Sequence, residues 1–414
     1  MKTRRIKTIL LFLSTMPFIG IYAQSIYYVS PHASSGGDGS PATPFHIIHE
    51  AVEKARKDKN CTTIYLREGE YILDTPLVLT SADGNDSKEL IIRNYPGEKA
   101  IISSGITLDL KWEKYKNGIM RAAVKGNPVM DMLIVNGDLR SMARYPDYDK
   151  TAVRFNGTSA LATAPERVKK WKNPEGGYFH AMHSHDWGDF HYRITGKNEK
   201  GELQLEGGWQ NNRPMGIHPE NRMVENIFEE LDAPGEWYYD KQEGWLYYYP
   251  LSDENINELV FETPQLKNLI EIAGTSSHPV KNITIEGIEL TQTIRTFMEH
   301  YEPLLRSDWT IYRGGAVIFR GTEKCTLRDC YIHHVGGNGV FFDKYNRNSA
   351  VTGSYLTSIG ASAICFVGDV AGVRSPSFRY GEFVPLDKMD TAKGSQNDNH
   401  PAYCEVYDLS LIHI

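Results

Sequence analysis

Arg320 and Asp343 occupy matching positions of a repeated segment and are the first candidates for chemistry. Residues 314–320 (Gly-Gly-Ala-Val-Ile-Phe-Arg) align with residues 337–343 (Gly-Asn-Gly-Val-Phe-Phe-Asp). Side chains alternate across a strand. If the two valines point inward together with Phe319 and Phe342, Arg320 and Asp343 point outward on strands about 4.8 Å apart. They would form either a surface ion pair, which contributes at most about 1 kcal/mol, or part of a cleft. We predict both as substrate-binding residues.

Carboxylates are also frequent in the segment 368–401. Hydrolysis of a glycosidic bond requires two carboxyl groups, one as acid and the other as base or nucleophile. Carboxylates in a loop are more often only solvated, so each is a weak candidate. The segment contains Asp369, Glu382, Asp387, Asp390, Asp398 and His400. From this set and the repeat, we take Asp343, Asp369 and Asp398 as candidates for catalysis, and His400 for substrate binding.

Two other side chains are candidates for substrate binding. His334 ends a predicted strand beside a Gly-Gly pair, where it could equally hydrogen-bond the turn, and Trp309 lies in the segment 294–313.

A histidine-rich segment spans residues 180–191 and holds four histidines. Its spacing does not match the helical His-x-x-x-His zinc pattern. On one continuous strand, His183, His185, Asp189 and His191 would share a face. A structural cluster or a contact at a domain edge is the favoured interpretation. We predict no metal site.

The repeat that carries these residues has a period of 24 residues between Gly337–Asp343 and Ala361–Val367. It pairs Ile332 with Leu356 and Phe342 with Phe366. Short apolar strands separated by Gly and Asn at this period are typical of a stacked solenoid, and the leucine and asparagine spacing of a leucine-rich repeat is absent. The sequence therefore predicts an all-β fold, a right-handed parallel β-helix of the pectate-lyase type.

The rest of the chain can be divided on the same basis. Residues 24–128 are predicted to contain the first coils and an amphipathic helix, from Thr43-Pro44 to about residue 59, that caps the open end. Residues 129–262 lose the coil pattern and predict an inserted β-sandwich-like domain. Coils resume over 263–408, with long loops at 294–313 and 368–401. Because stacked coils leave no room inside, these loops are expected to bulge outward and shape a cleft.

Composition limits the possible partners. The 414 residues carry a net charge of −7 without a basic face or basic runs, which does not favour binding to nucleic acid. The 24 tyrosines and 7 tryptophans suit both β-rich cores and sugar-binding surfaces. The chain has five cysteines without a Cys-x-x-Cys pair, so at least one thiol is unpaired and a structural zinc site is not expected.

The N-terminus reads as a secretory signal. A basic start is followed by an apolar run from Ile9 to Ile21 that is short and contains Pro17. This layout predicts a signal peptide over residues 1–23, cleaved between Ala23 and Gln24, and no stable membrane span. We expect the protein to be secreted or periplasmic.

Four motifs together resemble glycoside hydrolase family 141. They are Glu-Glu-Leu-Asp-Ala-Pro-Gly-Glu-Trp-Tyr at 229–238, Asn-Gly-Asp-Leu-Arg-Ser-Met-Ala-Arg-Tyr-Pro at 136–146, Gly-Gly-Ala-Val at 314–317 and Gly-Gly-Asn-Gly-Val at 336–340. The resemblance spans residues 26–408 and implies an exported β-helix enzyme with a β-rich insertion, of the α-L-fucosidase or xylanase type. The Gly-Asp-His-Gly and Asp-His-Gly-Trp-Asp motifs that carry the family's catalytic aspartates do not occur here, so the resemblance assigns no catalytic residue.

The last residues, 409–414 (Leu-Ser-Leu-Ile-His-Ile), match what a sequencing-library adapter encodes in frame. We therefore expect a fragment with an artefactual tail, whose catalytic residues lie outside the sequence, and no turnover by residues 24–408.

The sequence favours a glycoside hydrolase that acts on an oligo- or polysaccharide with paired carboxylates and without a cofactor. One alternative is a polysaccharide lyase or epimerase, which would use a basic residue such as Arg313, Arg320 or Arg328 and often Ca²⁺. Another is a non-catalytic glycan-binding surface protein, because a fold does not fix a function.

Overall fold

The computed structural model describes residues 24–58, 60–213, 215–304, 310–377, 379 and 381–412. The proposed signal peptide and Trp309 lie outside this range. The described chain is nearly all β, and its strands form parallel sheets that wind into stacked coils and a separate set of antiparallel sheets.

Three parallel sheets form the walls of the coils, and in each the strands stack in chain order. The first sheet contains Ser25–Val29, Thr62–Leu66, Leu90–Asn94, Ile283–Glu286, Thr326–Arg328, Ala350–Thr352 and Glu405–Tyr407. The second sheet contains Gly69–Ile72, Ala100–Ser103, Glu289–Thr293, Tyr331–Val335, Tyr355–Thr357 and Ser410–Ile412. The third sheet contains Leu77–Leu79, Ile270–Ala273, Val317–Glu323, Val340–Arg347 and Ile364–Val367, with short additions at Val280–Lys281 and Pro401–Ala402.

The strand register follows the sequence repeat. Ile332 pairs with Leu356, and Phe342 pairs with both Phe319 and Phe366, as the alignment of the repeated segments predicts. The three phenylalanine rings stack face to face with centroids 4.6 and 4.5 Å apart. Inward side chains from all three sheets form one continuous apolar core, so alternate residues of every coil strand are fixed as inside or outside.

Helix α1, Ile48–Lys57, packs four apolar side chains into this core. It begins later than the predicted start at Thr43-Pro44. Phe45 instead pairs with the edge of the first sheet, since its N–H and carbonyl bond Tyr28 and Ser30. The role of α1 as a cap for the stack stays a prediction.

The antiparallel strands lie between the second and third sheets of one coil, starting at Gly105–Thr107 and ending at Phe261–Pro264. They start before the predicted boundary at residue 129 because Gly105–Thr107 pairs with Phe261–Pro264. We call residues 105–264 the antiparallel region. Its remaining strands are Glu113–Lys114, Met120–Ala123, Leu133–Val135, Asp138–Arg140, Arg144–Tyr145, Tyr178–His183, Asp189–Lys197, Leu203–Gly207, Ile217–Glu225, Trp237–Asp240 and Trp245–Tyr248.

Short helices complete the described chain. One is α2, Pro165–Val168, and the others are single 3₁₀ turns at Ala160–Thr163, Phe228–Glu230, Ile256–Glu258, Val370–Gly372 and Leu386–Lys388. A two-stranded ribbon, Glu302–Pro303 with Thr310–Ile311, lies in the loop 294–313.

The loop 294–313 leaves the stack at the same corner as the antiparallel region, between the second and third sheets. Gly336 permits this path, since a Cβ there would lie 2.4 Å from Arg295 N and 2.5 Å from the carbonyl oxygen of Ile294. The loop and the antiparallel region are therefore neighbours in space.

Candidate functional site

Arg320 and Asp343 touch, as their register predicts, but below the surface. Asp343 is 2% exposed; its Oδ2 accepts from Arg320 Nε at 2.7 Å and its Oδ1 from Arg313 Nη1 at 2.5 Å. Arg320 also donates to Glu271 Oε1 at 2.8 Å, and Arg313 to both oxygens of Glu302 at 2.7 and 2.8 Å. The five charges alternate in sign along one network.

This geometry corrects the expectation of a surface ion pair. Asp343 is buried and both its carboxylate oxygens accept from guanidinium groups, so a substrate has no access to it and its role is structural. Burial alone would lower the pKa of Arg313, but its hydrogen bond to Glu302 and the charge of Asp343 outweigh burial and raise it. The network fastens the loop 294–313 onto the third sheet.

Two of the candidate loop residues hold structural hydrogen bonds, Asp369 through its carboxylate and Asp398 through its main-chain oxygen. Asp369 caps the turn Val370–Gly372 through Ala371 N at 3.0 Å, and its other oxygen accepts from Asn399 at 2.7 Å. Asp398 is exposed. Its main-chain oxygen and that of His400 both accept from the guanidinium of Arg347. These contacts join the two ends of the loop 368–401.

His334 lies on the second sheet, so the structure does not bring it together with Arg320 and Asp343. Its Nδ1 lies 2.9 Å from Nδ1 of His333, and His333 Nε2 lies 3.0 Å from Glu289 Oε1. Burial and the neighbouring His333 lower the pKa of His334. The predicted binding residues are thus distributed over two sheets and a loop.

The histidine-rich segment does not form one face. A turn separates Tyr178–His183 from Asp189–Lys197, so His183 packs near Phe190, whereas His191 is paired across the strands with His180. The single-face expectation failed because residues 184–188 turn instead of continuing the strand.

His180 and His191 instead form a contact between the antiparallel region and the loop 294–313. Their Nδ1 atoms are 2.7 Å apart, and both rings lie 5.2 Å from the ring of Phe297. Beside them, Arg295 donates to Asp131 at 2.9 Å and binds Glu225. This supports the domain-edge interpretation of the segment.

Sequence reasoning missed a carboxylate pair on the outer face of the second sheet. Glu70 and Glu289 are both register partners of Ile101, one on each neighbouring strand. Two strand spacings place their backbones about 9.6 Å apart. Ile101 lies between them, half-buried on the same face.

The two carboxyls have pKa values displaced in opposite directions. Burial, followed by the charge of Glu262, raises the pKa of Glu70 above 4.5. Burial would also raise the pKa of Glu289, but hydrogen bonds from His333 and Lys99 outweigh it and lower that pKa below 4.5. Such a division is the usual mark of an acid and a base sharing one site.

Glu289 also lines a shallow cleft of about 310 Å³ at the corner between the first and second sheets. Its wall includes Asn94, Glu98, Lys99 and Tyr331. The ring of Tyr331 stacks on Tyr355 of the next coil at 5.2 Å. Carboxylate, amide and ammonium groups beside a tyrosine face are suited to a polar ligand with an apolar side.

The pair could have been found only by extending the coil register backwards from the repeat. The segment with Glu70 has little similarity to the later coils, and the antiparallel region separates the strand of Ile101 from that of Glu289. No regular spacing in the sequence relates Glu70 to Glu289.

Within the described residues, no group of three or more His, Cys, Asp or Glu side chains is arranged to hold a metal ion. In the same part of the chain, no helix combines the length and hydropathy of a membrane span.

One solved structure shares the fold of this chain. A solved structure named "Glycoside hydrolase" matches with a TM-score of 0.67 and 20% identity, covering 80% of this chain and 65% of that one. The complex of XylC with xylose matches with a TM-score of 0.43 and 13% identity, over 82% of this chain and 51% of that one.

The match in sequence is more limited. YwoF, an uncharacterized protein of Bacillus subtilis (strain 168), is 34% identical over 88 residues, which is 21% of this chain and 17% of YwoF. No family model matches. The chain thus shares the fold of a glycoside hydrolase structure and spans less than two thirds of that chain's length.

Proposed function

We propose that this protein is an exported glycoside hydrolase and that, in contrast to the expectation of catalytic residues outside the sequence, Glu70 and Glu289 are its acid and base. The observation that carries the proposal is the pair itself, on one face, at one register position, with pKa values shifted in opposite directions. The fold shared with a glycoside hydrolase structure supports it. The finer expectations are part of the same proposal: a right-handed β-helix capped by α1, an inserted domain, and a fucosidase- or xylanase-like substrate.

Each carboxyl has a defined role in this proposal. Glu70, with its raised pKa, keeps a proton and donates it to the glycosidic oxygen as the bond breaks. Glu289, held as a carboxylate by His333 and Lys99, takes a proton from the attacking water. Inverting enzymes separate the two carboxyls by about 6.5–9.5 Å, and retaining enzymes by only about 5–5.5 Å. The backbones of Glu70 and Glu289 are about 9.6 Å apart, which is closer to the first range, so we propose inversion.

The lyase or epimerase alternative has less support. A basic residue that abstracts a proton must be free to approach the substrate. Arg313 and Arg320 both bind Asp343, and Arg328 binds Glu286. Each of the three arginines named for that chemistry already has a carboxylate partner.

The test follows two kinds of product. The chain is incubated with neutral and uronate-containing glycans while reducing ends and the absorbance of unsaturated products are measured. The proposal expects reducing ends without unsaturated product. Glu70→Gln and Glu289→Gln should each lower kcat at least about 100-fold, and the exposed Glu206→Gln should not.

The pH profile adds a second readout. Loss of Glu70 should remove the alkaline limb and loss of Glu289 the acidic limb, because the first must be protonated and the second ionised. Unsaturated product would favour the lyase. Absence of both products would contradict the acid–base assignment and would favour either catalytic residues outside this sequence or a non-catalytic binding protein.

A further inference from the structure

A tyrosine platform lies on the outer face of the first sheet. Tyr28 and Tyr65 are register partners on adjacent strands, and their rings stack with centroids 5.7 Å apart and planes inclined by 24°. Tyr95 packs edge-on against Tyr65 at 5.6 Å and is 36% exposed. The three rings are external, since the alternate residues Val29, Ile64 and Leu66 point into the core.

The platform is held rigidly at one edge. Arg67 binds both oxygens of Glu98 at 2.7–3.0 Å, and its guanidinium carbon lies 4.8 Å above the ring of Tyr95. Gly97 supplies the left-handed residue of the connecting turn with φ of +81°. A ring that is already ordered loses little conformational entropy when a ligand binds.

The platform and the cleft share this turn. Tyr95 is one of the three platform tyrosines, and its neighbours Asn94, Gly97 and Glu98 line the 310 Å³ cleft that contains Glu289. A chain lying in the cleft along the stack of coils would therefore continue onto the tyrosine rings. The two surfaces are continuous rather than separate sites.

The charges beside the platform favour an uncharged ligand. In the column that continues from Tyr28 and Tyr65, Arg93 and Arg328 both bind Glu286. The two guanidinium groups share the carboxylate of Glu286, and Arg328 also lies 4.0 Å from Asp329, so these four groups carry no net charge that would attract a polyanion. A tyrosine side chain combines apolar ring surface with a hydroxyl group that can hydrogen-bond, and a neutral sugar offers C–H and O–H groups to match.

We propose that Tyr28, Tyr65 and Tyr95 form a distal subsite for a neutral, extended oligosaccharide whose other end occupies the cleft. This rests on the proposed function for the location of the cleft, but it concerns binding and does not require hydrolysis. The subsite would make the protein prefer long chains to short ones.

The experiment measures binding by calorimetry with xylohexaose, cellohexaose, xylobiose and cellobiose, using Glu289→Gln in every protein to prevent turnover. The double change Tyr28→Val and Tyr65→Val should raise the Kd for a hexaose about tenfold or more, since two aromatic contacts with the ligand are lost. The disaccharide Kd should not change. Valine keeps the strand preference, and the phenylalanine pair should retain binding.

The control is Tyr148→Val, an exposed tyrosine of the antiparallel region. Should the valine pair fail to fold, judged by circular dichroism, the single change Tyr95→Val provides the same test with an expected several-fold loss. The proposal is overturned if neither hexaose binds, if the valine variants bind hexaoses as tightly as the parent, or if the control loses as much. A protein that binds hexaoses through these tyrosines but releases no product would contradict only the proposed function.

Discussion

The substitution Asp343→Asn distinguishes between two interpretations of this contact, a buried network and the surface ion pair that the sequence suggested. Asp343 is 2% exposed and accepts one hydrogen bond from each of two guanidinium groups. Charge-assisted hydrogen bonds contribute about 1.5–3 kcal/mol each, and removing one partner of a buried ion pair costs about 3–5 kcal/mol. The amide would also direct a donor at a guanidinium. We expect a loss of about 3–5 kcal/mol in the free energy of unfolding.

The assay is urea unfolding followed by circular dichroism at low and high salt. Two controls bracket the result. Asp398→Asn changes an exposed loop carboxylate and should alter stability by less than about 0.5 kcal/mol. Glu271→Gln changes the half-buried end of the network and should give an intermediate loss.

Salt distinguishes the two interpretations. At 1 M salt the Debye length is about 3 Å, so a surface pair would lose its contribution, whereas a buried pair is screened much less. The reasoning is refuted if Asp343→Asn costs less than about 1 kcal/mol, or if its cost disappears at 1 M salt.

Three further perturbations test other parts of the structure. Burial raises the pKa of Glu236 to about 8, so the native state holds a proton that the unfolded state releases near pH 4.5. The free energy of unfolding should therefore fall by up to about 1.4 kcal/mol per pH unit between these values. In urea titrations, Glu236→Gln should flatten this slope. Arg295→Met should cost about 3–5 kcal/mol and hasten proteolysis of the loop 294–313, because it removes the cation shared by the half-buried Asp131 and the buried Glu225, which keeps only His180. Stability equal to that of the parent would contradict the clamp. Burial raises the pKa of Cys325 and Cys330 to about 12, so a thiol reagent at pH 8 should modify them only after urea is added; rapid labelling of the folded protein would show that the core is open.

The repeat near the end of the chain determined the register of the coils. An outward Arg320 next to an outward Asp343 followed from a period of two along each strand and equal spacing between strands. The stacking of Phe319, Phe342 and Phe366 followed in the same way. These are local rules, so the sequence alone was sufficient for them.

Burial on the outer face was decided only by tertiary structure. The sequence makes Asp343 external, yet Arg313 from the loop 294–313 covers it and turns a surface pair into a buried network. Likewise, the turn at residues 184–188 divided a histidine cluster that the sequence had placed on one face. Where a long loop folds back is set by contacts with distant strands, which no local pattern contains.

The positions of the candidate acid and base also could not be predicted from the sequence. Glu70 and Glu289 share a face because strands far apart in sequence both pair with the strand of Ile101, and their pKa values diverge because Glu262, His333 and Lys99 reach them from other strands and turns. The sequence determined that the chain forms stacked coils and which residues of each repeat face outward. Only the winding of the coils, with the antiparallel region inserted between two of their strands, brought these carboxyls together, because pairing between distant strands is a property of the whole fold.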